Sequence, residues 1–172
     1  QFNPGFGFRD AASIASYLAE LGISDMYASP IFRARQGSTH GYDIVDPCMI
    51  NPELGSAEDF DMLISELHGR GLFWLQDIVP NHMAYDTEND LLMDVLENGT
   101  CSPYYRFFDI EWDHPYENMR GRIIAPFLGK FYADALNDGE IRLCYDQRGF
   151  GITYYRLRLP VRIESYLMIL EH

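Results

Sequence analysis

Apolar and polar positions near the start of the chain predict a helix followed by a strand. Four apolar positions recur at helical spacing within residues 10–21: Ala11, Ile14, Ala15 and Leu18. Asp10 is the predicted N-cap of this helix, and Gly22 is its predicted end. Residues 23–32 then predict a short strand. The turn-rich stretch that follows, to about Gly55, is predicted to be a long loop.

The same order of helix and strand then repeats. A helix is predicted over residues 56–68, with Ser56 as its N-cap. The apolar residues that form its buried stripe are Phe60, Leu63, Ile64 and Leu67. Residues 72–80 are almost entirely apolar, which is typical of a parallel strand covered on both faces. Short helix-to-strand links and longer loops after each strand favour an α/β barrel or an open parallel sheet, whose sites lie beyond the strand ends.

After residue 84 the pattern changes, and no further helix–strand repeat follows. Residues 87–99 predict a helix, and residues 102–115 are aromatic and irregular. Residues 140–160 predict a β-hairpin with Gly149 near its turn. This half of the chain is therefore predicted to be an inserted α+β subdomain.

The chain is predicted to have two parts and to be a fragment of a longer protein. Residues 1–84 are the predicted start of a barrel, and residues 85–172 are the predicted inserted subdomain, which is incomplete. The chain begins without a methionine, and Gln1-Phe2 resembles the tail of a strand whose start is absent. The final Leu170-Glu171-His172 resembles the scar of a cloning site.

Composition narrows the classes of protein and partner. The 172 residues are 47% hydrophobic, which is typical of a folded globular chain. A net charge of -13 argues against a nucleic-acid partner and against an anionic membrane surface. No apolar run approaches the ~20 residues of a membrane span. Three widely spaced cysteines, an odd number, favour a reducing compartment and hence a cytoplasmic protein: Cys48, Cys101 and Cys144.

The first candidate site follows the second predicted strand directly. Asp77, Asn81 and His82 stand at and after the end of this strand, in "LQDIVPNHMA". A strand interior has no structural need for a carboxylate, and strand ends in this architecture carry sites. We expect Asn81 and His82 to donate hydrogen bonds to a polar ligand, and Asp77 to orient neighbouring groups. The alternative is that Asp77 pairs locally while His82 begins a loop.

The second candidate site lies in the loop after the first predicted strand. The stretch "STHGYDIVDP" offers an aromatic face at Tyr42 and polar edges at His40, Asp43 and Asp46. Because both loops follow strands, these residues are expected to converge with His82. An aromatic face flanked by hydrogen-bonding groups suits a sugar ring. The alternative is an ordinary turn-rich loop with a half-buried Tyr42.

A third group of residues is weaker. Asp109, Glu111 and Asp113 alternate, so in a strand they would share one face. Paired carboxylates can serve glycoside hydrolysis, but a solvated strand face is the favoured interpretation. The histidines show no zinc-binding spacing, and neither a metal nor another cofactor is predicted. The alternative is that Asn81 and nearby carboxylates help to bind calcium, although they form no full oxygen cage.

The chain resembles the α-amylase family of glycoside hydrolases. The stretches "YLAELGISDMYASPIF", "HGYDIVDP" and "GLFWLQDIVPNH" come in that family's order and at similar spacing. Beyond His82, "LENGTCSPYYRFFDIEWD" resembles the trehalose-forming branch of the family. The resemblance implies the N-terminal part of a (β/α)8 TIM barrel, with an inserted α+β subdomain after the third strand. One departure is Gln76, where the family usually has an aliphatic residue.

The resemblance also implies an activity and a set of site residues. The reducing-end α-1,4 linkage of a maltooligosaccharide, the implied substrate, would be converted to an α,α-1,1 linkage without release of the glucose. Tyr42 would stack on the sugar ring at the cleavage subsite, and His82 would hydrogen-bond its hydroxyls. Four further positions would line or support the same site: His40, Asp43, Asp77 and Asn81.

The family's catalytic carboxylates lie on later strands of its barrel, so the chain is expected to be inactive alone. Its open sheet is expected to lead to self-association. Two alternatives remain: a hydrolase or transglycosylase of the same family, and a non-catalytic glucan-binding module. The products would distinguish the first, because a hydrolase creates reducing ends, and the length of the open reading frame would distinguish the second.

Overall fold

A computed structural model describes residues 1–171, so His172 of the predicted cloning scar lies outside the described residues. The chain divides into two compact units, Gln1–Asn89 and a second unit that begins at Asp90. The first unit contains α1 (Phe8–Ser13), α2 (Ala15–Glu20), β1 (Asp25–Ala28), β2 (Phe32–Ala34), β3 (Ile44–Ile50), α3 (Ala57–Gly69) and β4 (Phe73–Gln76). The second contains α4 (Asp90–Asn98), α5 (Tyr132–Asn137), β5 (Ile141–Asp146), β6 (Gly149–Tyr154), β7 (Leu157–Pro160) and α6 (Tyr166–Leu170).

The first unit is organised around a parallel pair of strands. β1 pairs with β4 in register from Asp25–Phe73 to Ala28–Gln76, and α3 precedes β4 in the chain. This confirms the predicted repeat of helix and strand. It also brings the carboxyl ends of both strands to the same edge, which is where the two candidate sites begin.

The core of the first unit lies between the helices and one face of this pair. Phe8 is fully buried, and its ring centroid lies 5.6 Å from that of Phe2 and 5.3 Å from that of Phe60. Of the stripe predicted on α3, Leu63 and Leu67 are fully buried. Burying each leucine stabilises the fold by roughly 1.5–3 kcal/mol.

Ser56 caps α3, as predicted. Its Oγ accepts a hydrogen bond from the Asp59 N–H at 3.2 Å, and the Asp59 carboxylate accepts one from the Ser56 N–H at 3.0 Å. Ser56→Ala is expected to lower the free energy of unfolding by about 1 kcal/mol, because it leaves an N-terminal N–H of the helix unpaired. Urea denaturation measures this. Ser65→Ala, on an exposed position of the same helix, is the control and is expected to change stability by less than about 0.5 kcal/mol.

The first predicted helix differs from the structure in two ways. It starts earlier, at Phe8, and it is interrupted at Ile14, where φ is -98° and ψ is 1°. Asp10 is therefore not the N-cap, and that prediction was wrong. Instead the Asp10 carboxylate accepts a hydrogen bond at 2.8 Å from the N–H of Gly7, which is the N-cap. The early start is explained by Phe8, whose buried ring anchors the first turn.

The predicted long loop to Gly55 was wrong, because it contains an antiparallel ribbon. β2 pairs with β3, with irregular register between Phe32 and Ala34. Ile44 and Val45 at the start of β3 are almost fully buried, and this burial fixes the ribbon. The predicted strand at Gln1-Phe2 is also absent from the described residues, although the Phe2 N–H donates to Ser29 Oγ at 2.8 Å beside the end of β1.

β4 was predicted to be covered on both faces, and only one face is covered. Trp74 packs against Phe60, with ring centroids 5.3 Å apart. On the opposite face, Phe73 and Leu75 are 62% and 56% exposed, and Tyr27 of β1 is 64% exposed. One face of β4 is therefore apolar but is not covered by any described residue.

The second unit agrees in part with the sequence. The predicted helix is α4, and it ends just before Gly99, whose φ is +57°. The predicted hairpin is β5 and β6, with Asp146 paired to Gly149 at the turn, but β7 adds a third antiparallel strand. Residues 106–113 form no strand, so Asp109 and its neighbours do not share a strand face. That this unit is an insertion into a barrel stays a prediction.

No helix within residues 1–171 is both long enough and apolar enough to span a bilayer.

Candidate functional site

Tyr42 and Asp77 meet where the parallel strands end. Asp77 directly follows β4, and its N–H donates to the carbonyl oxygen of Ala28 at 2.9 Å, so it is held beside the end of β1. The Tyr42 hydroxyl donates to Asp77 Oδ2 at 2.6 Å. The Tyr27 hydroxyl approaches the same carboxylate and helps to lower its pKa. Two phenols from different segments therefore converge on one carboxylate.

His82 joins this group from the segment after β4. Its Nε2 lies 3.1 Å from the carbonyl oxygen of Tyr42. Because a carbonyl oxygen only accepts, Nε2 carries the proton and donates. Nearby, the Ala84 N–H donates to the carbonyl oxygen of Ile44 at 2.8 Å. We call Tyr42, Asp77 and His82 the Tyr42 cluster.

Asp43 holds the loop that carries Tyr42. Its carboxylate accepts a hydrogen bond from the Ser38 hydroxyl and lies 3.4 Å from a guanidinium nitrogen of Arg35. The same Ser38 oxygen accepts the N–H of Gly41 at 3.1 Å. The Asp43 side chain is only 17% exposed, so Asp43 acts within the loop in this structure. That Asp43 contacts a ligand stays a prediction.

The other predicted residues differ in how they relate to the Tyr42 cluster. The His40 ring centroid is 6.1 Å from that of Tyr42, and His40 Nδ1 accepts the Tyr42 N–H at 3.0 Å. Asn81 is exposed, and its side chain makes no hydrogen bond within residues 1–171. Asp46 accepts the Cys48 N–H at 2.8 Å inside β3.

Two contributors were not predicted from the sequence. Tyr27 was assigned only to a strand, but the register of β1 with β4 places it on the face that ends in Asp77. Gln76, the departure from the family pattern, is well partnered. It accepts from Trp74 Nε1 at 3.2 Å and donates to the carbonyl oxygens of Asp77 at 2.7 Å and Ser29 at 3.3 Å. The sequence signal for Gln76 was its polarity at the end of an otherwise apolar strand.

Hydrogen bonding shifts the ionisation of the cluster. The Tyr42 hydroxyl, then that of Tyr27, lowers the pKa of Asp77 below its ordinary value. In return, the hydrogen bond to Asp77 raises the pKa of Tyr42 and of Tyr27. Around neutral pH the site therefore consists of an ionised carboxylate that holds two protonated phenols.

These shifts predict a pH dependence at both extremes. The lowered pKa of Asp77 contributes stability above its unfolded value of about 3.9, and this is lost as the pH falls through the folded pKa. The raised pKa of Tyr42 contributes stability below about 10, and this is lost as the pH rises through the folded pKa. In Asp77→Asn, tyrosine ¹³C NMR is expected to show Tyr42 titrating at a lower pH than in the unchanged chain. Asp109→Asn is the control, and an unchanged Tyr42 titration in Asp77→Asn would contradict the assignment.

The third predicted group is not brought together. Asp109 and Glu111 line one cavity of the second unit, whereas Asp113 lines another. Within residues 1–171, no group of three or more histidine, cysteine, aspartate or glutamate side chains is placed to hold a metal ion. The Tyr42 cluster therefore remains the candidate site.

Comparisons with known proteins add a family to this geometry. The chain matches the alpha-amylase catalytic domain over residues 12–134. A Mycobacterium tuberculosis protein, named as a maltooligosyl trehalose synthase, is 44% identical over 127 residues, which cover 73% of this chain and 16% of that protein. The solved structure of a glycosyltrehalose synthase is 41% identical with a TM-score of 0.83, covering 99% of this chain and 22% of its own. Alpha-amylase 2 of Dictyoglomus thermophilum is 32% identical over 153 residues, covering 89% of this chain and 26% of that protein.

These matches concern part of each relative, since the chain spans 16–26% of their length. The structural neighbours are TIM-barrel enzymes of the α-amylase family, with mixed α and β content. The parallel β1–β4 pair, with polar groups at its carboxyl edge, fits the start of such a barrel. Because the match to the alpha-amylase catalytic domain covers more than half of this chain, the chain belongs to the α-amylase family.

Proposed function

We propose that the chain is part of a maltooligosyl trehalose synthase. The full-length protein would convert the reducing-end α-1,4 linkage of a maltooligosaccharide into an α,α-1,1 linkage by intramolecular transfer of glucose. The observation that supports this is the extent of the similarity. A glycosyltrehalose synthase structure covers 99% of the chain, including the second unit, at 41% identity.

The Tyr42 cluster is the proposed place of sugar binding. The Tyr42 ring is 37% exposed, so it offers a face to a pyranose while its hydroxyl is held by Asp77. The Nε2–H of His82 donates to the Tyr42 carbonyl oxygen. The unprotonated Nδ1 is therefore left to accept a hydrogen bond from a sugar hydroxyl. His40 and Asn81, both exposed beside the cluster, are proposed to complete the rim. Asp43 and Asp77 would act mainly by positioning the residues that touch sugar.

The carboxylates singled out from the sequence have no catalytic role in this proposal. Asp77 is engaged by the Tyr42 hydroxyl, and Asp109 and Glu111 line a cavity of the second unit. We therefore propose that the nucleophile and the acid/base lie elsewhere in the full-length protein and that this chain alone is inactive. Detectable turnover of a maltooligosaccharide by the purified chain would contradict this.

The decisive experiment uses the full-length gene product. It is incubated with maltopentaose while reducing ends and anomeric NMR signals are followed. Loss of reducing ends together with an α,α-1,1 signal is expected. A rise in reducing ends would assign the protein to the hydrolases instead.

One observation favours that second candidate. The similarity to Alpha-amylase 2 also extends into the second unit, over 89% of the chain. A glucan hydrolase would use the same Tyr42 cluster to hold the sugar and differ in admitting water to the reacting centre. We rank it below the synthase because the identity is lower, 32% against 44%.

The exposed face of the parallel pair predicts self-association of the isolated chain. Tyr27, Phe73 and Leu75 together form an exposed apolar patch on one face of the strand pair, and such patches favour association with another copy. Sedimentation velocity is expected to show concentration-dependent dimers or larger species. Leu75→Lys is expected to shift the chain towards monomer, whereas Leu21→Lys, at a similarly exposed leucine on the helical side, is not. A monomer at all concentrations would contradict the proposal.

A further inference from the structure

The second unit contains a cavity that the proposed function does not use. Its volume is about 420 Å³, which falls within the usual range of ligand pockets. The residues that line it are Gly99, Thr100, Trp112, Asp113, Gly121 and Arg162. The lining thus combines one large aromatic ring with a guanidinium, a carboxylate and a hydroxyl.

Two glycines keep this cavity open. Gly99 and Gly121 have φ values of +57° and +63°, which disfavour any other residue. A Cβ on Gly99 would lie 3.6 Å from the Arg162 guanidinium and 3.9 Å from the Trp112 ring. A Cβ on Gly121 would lie 3.8 Å from the same guanidinium. Side chains at these positions would therefore occupy space between the polar and aromatic walls.

Trp112 has one buried, unpaired polar atom, and this atom does not face the cavity. Its indole Nε1 is shielded from solvent and has no acceptor within residues 1–171. The cavity instead meets the six-membered ring, whose Cζ3 would lie 3.9 Å from a Cβ on Gly99. A ligand would therefore pack against carbon atoms of the indole.

The charges of the cavity favour a neutral ligand. Arg162 Nη2 lies 3.0 Å from Glu164 Oε1, and Arg162 Nη1 donates to the Gly121 carbonyl oxygen at 3.4 Å. Asp113 adds a second negative charge to the lining. Because the guanidinium is already balanced, an anion such as phosphate gains little here. A ligand with many hydroxyls can instead accept from Arg162 and donate to Asp113.

We infer that this cavity is a second sugar-binding site, which takes one neutral pyranose ring against Trp112. Sugars combine apolar ring faces with hydroxyl rims, which match the aromatic wall and the Arg162–Asp113 pair. The site belongs to the second unit and needs no residue of the Tyr42 cluster. That the sugar is part of an α-glucan rests on the proposed function, whereas the binding of a pyranose does not.

The test uses the two tryptophans of the chain as NMR reporters. The indole N–H signal of Trp112 is assigned by its loss in Trp112→Phe, and the chain is titrated with maltose. A saturable shift of this signal is expected. Arg162→Gln is expected to weaken the apparent affinity roughly tenfold, the loss of one charge-assisted hydrogen bond. Asp113→Asn is a second variant, which changes the carboxylate that lines the same cavity. The matched control is Arg148→Gln, at an exposed arginine in the β5–β6 turn.

Each other outcome overturns the inference. The absence of a saturable shift up to the solubility of maltose would do so, as would an equal response to inorganic phosphate. Equal effects of Arg162→Gln and Arg148→Gln would show that the shift is unspecific. Tyr42→Ala separates the two sites: a shift that persists supports a separate site, and a shift that disappears assigns the sugar to the Tyr42 cluster alone. Failure of the maltopentaose assay would leave a persistent shift standing, so the two proposals fail separately.

Discussion

Replacing Tyr42 by alanine in the full-length gene product is expected to lower kcat/KM for a maltooligosaccharide roughly a hundredfold or more. The substitution removes the ring proposed to carry the sugar, and it also removes the hydrogen bond from the Tyr42 hydroxyl to Asp77. A misplacement of about 1 Å at a reacting centre is enough for a loss of this size. Steady-state kinetics with maltopentaose measures the effect.

Tyr42→Phe separates the ring from its hydroxyl. It keeps the aromatic face but loses the hydrogen bond to Asp77, so a loss of no more than about tenfold is expected. Tyr27→Phe removes the other phenol beside Asp77 without touching the proposed stacking face, and it is the matched control. Near-normal turnover in Tyr42→Ala, with the fold intact by circular dichroism, would show that the sugar does not bind here.

His82→Ala is expected to have an effect of similar size, about a hundredfold or more, because it removes the nitrogen proposed to hold a sugar hydroxyl in place. His82 also links the segment after β4 to the Tyr42 carbonyl at 3.1 Å, so its loss loosens the cluster as well. His82→Gln retains a hydrogen-bonding side chain and is expected to recover part of the activity. Equal residual activity of the alanine and glutamine variants would show that hydrogen bonding by His82 is not what matters for turnover.

The elements that the sequence predicted best are those whose pattern is local. The stripe of α3 and the cap at Ser56 lie within a few turns of one helix, so spacing alone defines them. The β2–β3 ribbon was missed because β3 contains Asp46, Pro47 and Cys48, which read as a turn. Its strand character comes from pairing with β2 and from burial of Ile44, and neither is visible in a short window of sequence.

The candidate site shows the same division. That Tyr42, Asp77 and His82 converge follows from one rule, because the loops after parallel strands meet at one edge of the sheet. Which hydrogen bonds they form depends on register. Tyr27 reaches Asp77 only because β1 and β4 pair with Tyr27 opposite Leu75, two residues before Asp77. The sequence therefore predicted the members of the cluster but not their partners.

Gly41→Ala is expected to remove most of the activity without changing any polar group of the site. Gly41 has a φ of +79°, and an added Cβ would lie 2.6 Å from the carbonyl oxygen of Pro30. This oxygen belongs to the backbone at the end of the β1 segment, which has little freedom to move. The loop must therefore shift, and Tyr42, the next residue, shifts with it. We expect at least a tenfold loss of kcat/KM, because the stacking face and the Asp77 hydrogen bond are displaced together.

Gly37→Ala is a closely matched control for this prediction. Gly37 lies in the same loop with a φ of +74°, but an added Cβ would meet no atom within 4 Å. Both substitutions carry the cost of a left-handed alanine, about 1–2 kcal/mol in the free energy of unfolding. Only Gly41→Ala adds the contact with Pro30, so only it is expected to reduce activity beyond what lost stability explains. Urea denaturation and maltopentaose kinetics on both variants separate the two effects. Equal losses of activity would show that loop strain, rather than the position of Tyr42, limits turnover.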